Sequence, residues 1–128
     1  MSTTIPPDFD DPDLAKKVEQ LGTDVIDELP FGVIRLDDEG VVQLFSRSEA
    51  KLSGYGSRPA LGRRFFLDVA PCMNNDRFVG RIEAARKRGD LDIEFGFVGD
   101  FSDRDRELRV RVQPAAAGGY WLFMQREH

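Results

Sequence analysis

Histidine is almost missing from this chain; the only one is His128. Without an imidazole in its body, a cysteine or serine nucleophile has no histidine to act as general base. A histidine-ligated haem or metal is excluded on the same ground. Cysteine is equally scarce. Cys72 stands alone, so no internal disulfide forms, and a reducing cytoplasm is the expected compartment. Cysteine, histidine and carboxylates nowhere cluster at metal-ligand spacing. A glycine-rich phosphate loop is also lacking, because Gly54-Tyr55-Gly56 has no third glycine and follows no strand. No run of about 18 apolar residues exists to cross a membrane. The acidic, proline-bearing stretch from Met1 to Asp13 lacks the apolar centre of a signal peptide. Positive charge is in deficit, with 18 Lys and Arg against 23 Asp and Glu and a net charge of −5. Nucleic acid is therefore not an expected partner. The basic residues between Arg81 and Arg88 surround Glu83 at helical spacing and read as a solvated helix face.

What remains is a chain of one-domain size, 41% hydrophobic and 32% charged. Ten Phe against two Tyr and one Trp point to an interior of large apolar rings with few polar handles. Asp11 and Pro12 resemble an N-cap and first helical residue, with Leu14, Val18 and Leu21 on one face and Gly22 as the stop. A further short turn is expected over residues 24–28. Phe31 to Leu36 and Val41 to Phe45 read as strands joined by Asp37-Asp38-Glu39-Gly40. Ser46 and Glu49 match the capping box of a brief helix that Gly54 ends. Residues 55–62 read as a loop. Asn74 or Asn75 is expected to cap the longest helix, about Asp76 to Arg88, with Phe78, Ile82 and Ala85 buried and Gly89 at its end. From Leu91 the period changes to two: Leu91, Ile93, Phe95 and Phe97, then Leu108, Val110 and Val112. Tyr120 to Met124 forms the last strand. The order predicts an α+β domain in which a central antiparallel β-sheet is flanked by helices, with a short helical N-terminal cap and a ligand-sized pocket between sheet and helices. Residues 1–28 are read as leader and cap, and 29–126 as the sensor domain of PAS type.

The informative segment runs from Gly62-Arg63-Arg64-Phe65-Phe66 through Asp68-Val69-Ala70-Pro71-Cys72. By itself Cys72 reads as a small buried hydrophobe or, in an electropositive setting, a reactive thiol. Glu49 reads either as the returning arm of the capping box or as a buried carboxyl kept neutral by desolvation in the absence of a cationic partner.

Together with Phe31-Gly32, Gly40, Glu49, Gly54, Phe78, Gly80, Gly89-Asp90-Leu91 and Tyr120-Trp121-Leu122-Phe123, that segment resembles the photoactive yellow protein family over about Leu29 to Arg126. The resemblance implies a PAS fold and a non-enzymatic blue-light photoreceptor carrying 4-hydroxycinnamic acid (p-coumaric acid) as a thioester on Cys72. It implies a phenolate held inside the protein, light-driven trans–cis isomerisation, proton transfer from Glu49 and a signalling change of conformation. An unidentified downstream protein is implied, and the chain is expected to be a monomer. Phe65, Phe66, Val69, Ala70, Phe97 and Phe101 are candidate pocket residues, each equally serviceable as plain core. The alternative is a PAS module that binds a ligand or protein without photochemistry. A flavin photosensor is disfavoured, because Met73-Asn74-Asn75 follows Cys72 where that class has Arg-Phe.

Departures from the family pattern matter. Phe45 stands in place of the usual phenolate-binding tyrosine. A lost hydrogen bond to a charged group is worth roughly 1.5–3 kcal/mol, which raises the chromophore pKa by about one to two units. Ser53 replaces a threonine and either donates toward the phenolate or serves only the helix end. Tyr55 replaces an arginine, shielding the pocket without carrying charge. The segment through Gly22, with few apolar anchors, is expected to detach on activation. Asp103 or Arg104 replaces a methionine that speeds thermal recovery, and a charged residue offers no such soft contact, so dark recovery should be slow. Asp103→Met is expected to accelerate the return of the visible band after a flash, and an unchanged rate would remove this reading.

Overall fold

A computed structural model describes residues 6–99 and 105–126, so the readings of Phe101, Asp103 and Arg104 lie outside the described residues. Two short helices, α1 (Leu14–Val18) and α2 (Thr23–Ile26), precede the strands β1 (Gly32–Leu36) and β2 (Val42–Phe45). Helix α3 (Arg47–Ser53) follows, then a π-helical turn over Phe65–Val69 and a 3-10 turn over Pro71–Met73. Helix α4 (Val79–Arg88) leads into β3 (Ile93–Val98), β4 (Glu107–Pro114) and β5 (Tyr120–Arg126). The strands form one antiparallel sheet in the order β2-β1-β5-β4-β3.

Period-two alternation loads both faces of this sheet. Ile34, Leu36, Phe95, Phe97, Leu108, Val110, Val112, Tyr120, Leu122 and Met124 join the larger core, beneath Phe65, Phe66, Val69, Phe78 and Ile82. Phe31, Val33, Trp121 and Phe123 face the other way, together with Leu29, onto Phe9, Leu14, Ala15, Val18 and Ile26 of the cap. The expectation of few apolar anchors in the N-terminal segment is thereby corrected.

Polar side chains on the cap face of β4 complete the attachment. Arg111 Nη1 donates to the carbonyls of Phe9 and Asp11, at 2.7 and 2.6 Å. Gln113 accepts from Ala15 N–H at 2.7 Å and donates to Pro12 O at 3.0 Å. Trp121 Nε1 donates to Glu19 at 2.9 Å. Among these, the Gln113 acceptor satisfies an N–H that the first turn of α1 leaves without an intrahelical partner.

Three boundaries differ from the sequence reading. Helix α1 begins at Leu14, because Asp11 accepts Asp13 N–H in a local turn and pairs with Lys17. Gly22 precedes α2 as its N-cap and does not terminate α1. Asn75 caps no long helix. Its Oδ1 accepts Arg77 N–H and its Nδ2 donates to Cys72 O, forming a separate turn, and α4 starts three residues later than expected.

Gln113→Ala leaves the buried Ala15 N–H without its acceptor, which costs about 1–3 kcal/mol. The expected outcome is a lower urea midpoint together with faster amide exchange across α1; equal exchange in both proteins would contradict this account of the cap.

Candidate functional site

The first turn of α3 is stapled to β1. Ser46 N–H donates to Val33 O at 2.9 Å, and Ser46 Oγ accepts from both Val33 N–H and Glu49 N–H, at 3.1 and 3.0 Å. Ser48 Oγ donates to Phe31 O at 3.0 Å. Both contacts flank Gly32, so the next residue, Glu49, is brought against that glycine. A Cβ at Gly32 would overlap Glu49 Oε1 and lie 3.2 Å from Arg126 Nη1. Glycine here makes room for a side-chain pair.

That pair is a bidentate fork. Arg126 Nη1 and Nη2 donate to Glu49 Oε1 and Oε2, each at 2.8 Å, and the two side chains are 2% and 0% exposed. Only half of the capping box forms, since Ser46 N–H is taken by Val33 O and the carboxylate goes to Arg126. The premise of a carboxyl without a cationic partner is likewise corrected. A guanidinium in fork geometry favours the ionised carboxylate.

Cys72 is exposed on the 3-10 turn, between Ala70 and Met73, which are both fully buried in the larger core. Cys72 is thus exposed while its chain neighbours enter that core. The core is aromatic there: Phe65 and Phe66 pack edge to face at 5.0 Å, Phe66 meets Phe78 at 5.7 Å, and Phe78 meets Phe97 at 5.1 Å. Val69 is buried in the same cluster. Among the candidate residues, Phe65, Val69, Ala70 and Phe97 are thus assembled on one face of the sheet.

Phe45, Ser53 and Tyr55 gather at the ends of β2 and α3. The half-buried Phe45 ring lies 5.4 Å from the ring of Tyr55. The Tyr55 hydroxyl donates to Pro59 O at 3.0 Å, so it is committed to its own loop. Buried Ser53 accepts Tyr55 N–H at 3.1 Å at the end of α3. Arg58 lies 4.2 Å over the Tyr55 ring and donates to Tyr55 O. A cation thus sits at the gate that Tyr55 was expected to leave uncharged.

Sequence reasoning missed Arg58 and Arg126. The signal for Arg126 was present: it continues the 120-122-124 alternation, which points it toward the larger core. The residue types suit a phenolic acid carried on sulfur: an exposed cysteine, aromatic side chains and a buried charged pair. The misfit is Phe45, which has no hydroxyl to donate.

Residues 21–126 match the PAS fold family. Photoactive yellow protein of Rhodothalassium salexigens is 32% identical over 119 residues, spanning 92% of this chain and 95% of that protein. That of Halochromatium salexigens is 29% identical over the same shares. The crystal structure of the photoactive yellow protein domain from the sensor histidine kinase Ppr of Rhodospirillum centenum is 37% identical, with a TM-score of 0.76, covering 87% of this chain and 98% of that one. A PAS domain of an HTR-like protein from Haloarcula marismortui, 13% identical with a TM-score of 0.58, shares the fold.

Gly32→Ala should force Glu49 off Arg126. Breaking a buried pair costs about 3–5 kcal/mol. The urea midpoint is expected to fall accordingly, and a shift within error of zero would show that the fork tolerates the methyl group.

Proposed function

The chain belongs to the photoactive yellow protein family, and from that premise we propose that it is a blue-light sensor carrying 4-hydroxycinnamic acid as a thioester on Cys72. The observation that carries this reading is an exposed Cys72 on the turn whose neighbours Ala70 and Met73 enter the aromatic core, in a fold that also buries the Glu49–Arg126 pair. When bound, that group supplies a double bond that light turns from trans to cis and a phenolate able to accept a proton.

The protein's own residues do the rest. Cys72 Sγ takes the acyl group from an activated thioester, whose own thiol leaves carrying the cysteine proton. Phe65, Phe66, Val69, Ala70 and Phe97 exclude water and hold the ring flat. Tyr55, with Arg58 stacked on it, shields the side toward the loop. Glu49 in its acid form donates to the phenolate and later yields its proton. Phe45 withholds the donor that a tyrosine would offer, so the anion is less secure and the visible spectrum depends on pH.

Release of the cap, residues 1–28, from the sensor unit at 29–126 would transmit the signal. It uncovers Val33, Trp121 and Phe123, the face offered to an as yet unidentified downstream protein. The reading is of a monomeric, cytoplasmic, non-enzymatic receptor, since the nucleophile has no histidine base. No helix among the described residues is long and apolar enough to cross a membrane.

Reconstitution with an activated hydroxycinnamoyl ester decides the matter. The denatured product should carry the added mass on Cys72, the native product should be yellow and bleach reversibly in blue light, and Cys72→Ala should do neither. Phe45→Tyr should lower the midpoint of the visible titration by roughly one to two pH units. A wild-type chain that stays colourless and unmodified would favour a noncovalent PAS binding module instead.

A further inference from the structure

We propose that Arg126 is a ligand-binding residue of this pocket, its guanidinium holding the Glu49 carboxylate in the ligand-free chain and the phenolate once the chromophore is in place. The inference rests on the light-sensor reading and names a residue of that same site. A buried ion pair is a poor device for stability alone, because desolvating two charges offsets most of their attraction and well-packed apolar residues often do as well. Yet the fold is built around this pair: Gly32 gives up its side chain for it, and Ser46 and Ser48 set the turn that aims Glu49 at it. Placement supplies the second argument. Phe97 pairs with Leu108, and Leu108 pairs with Arg126, so the arginine ends a cross-strand row that begins at a pocket-wall residue. By strand alternation it lies on the same face of β5 as Leu122 and Met124, which are buried in the larger core.

Chemistry supplies the third. Without a hydroxyl on Phe45, an anionic oxygen needs another donor, and Arg has five N–H groups in a planar fork, enough to serve a carboxyl and a phenolate together. Protons balance without help from outside. On loading, the phenolic proton passes to the Glu49 carboxylate, the acid form becomes the donor that light sensing requires, and the guanidinium faces one negative charge before and after. Of the other charges near α3, Arg47 and Lys51 are exposed, and Arg106 Nη1 donates to Leu52 O. The Ser46 and Ser53 hydroxyls are neutral.

The test compares the wild-type chain with Arg126→Gln and Arg126→Lys, each loaded with the hydroxycinnamoyl group and titrated by its visible band. Arg126→Gln should raise the midpoint by roughly one to two pH units, with Arg126→Lys between, since an ammonium keeps the charge and loses the fork. Infrared difference spectra should show Glu49 as carboxylate before loading and as acid after it. Equal midpoints in all three proteins, or a Glu49 that is already acid in the ligand-free chain, would overturn the proposal. A readout without acylation uses 4-nitrophenol and the Cys72→Ala chain: the bound nitrophenolate band should weaken at least about tenfold when Arg126→Gln is added. If the wild-type chain takes no acyl group, the light-sensor reading falls and the nitrophenolate comparison still decides Arg126. Should Arg126→Gln fail to fold, Arg126→Lys carries both comparisons, and unchanged values there count against the role.

Discussion

Strand β5 lies between β1 and β4 at the centre of the sheet, and nearly every one of its residues is buried. Side chains of even number enter the larger core and those of odd number enter the cap core, so two interiors share one backbone. A slip of one residue would send Arg126 into the cap and Trp121 into the aromatic cluster. Register at this strand therefore constrains the rest of the molecule. Seven paired positions with β4 and five with β1 hold it.

Polar residues appear inside this fold at two places. Arg111 and Gln113 face the cap, where they supply donors and an acceptor to backbone that short helices cannot satisfy. Ser46, Glu49, Ser53 and Arg126 gather on the opposite face, where α3 meets the sheet. Among the described residues, no buried side-chain polar atom lacks a hydrogen-bond partner. The first group is accounted for by attachment of the cap. The second is more elaborate than attachment of a seven-residue helix requires, and it includes a charged pair, which is why function is sought there.

Local signals in the chain were strong where one residue type answers one local need. The Asp37–Gly40 turn, the Ser46 cap, the glycine stops at 54 and 89, the second alternating strand and the final buried one all appear where the pattern put them, while the first alternating strand starts at Ile93 and not at Leu91. The Asn75 cap failed because the asparagine found nearer partners in its own turn. The anchoring of the N-terminal segment was underestimated, because part of what binds it lies about a hundred residues away on β4, in Arg111 and Gln113.

The amino-acid sequence alone determined the α+β class, the two-period pattern of the sheet and the family to which the chain belongs, because each follows from residue identity and short-range spacing. Which partner Glu49 takes was decided only in three dimensions. Its choices were Ser46 N–H three residues back or a guanidinium 77 residues on, and the outcome turned on whether β1 already held Ser46. A carboxyl is claimed by whichever donor the finished fold leaves within reach, and reach is a property of packing that spacing along the chain does not encode.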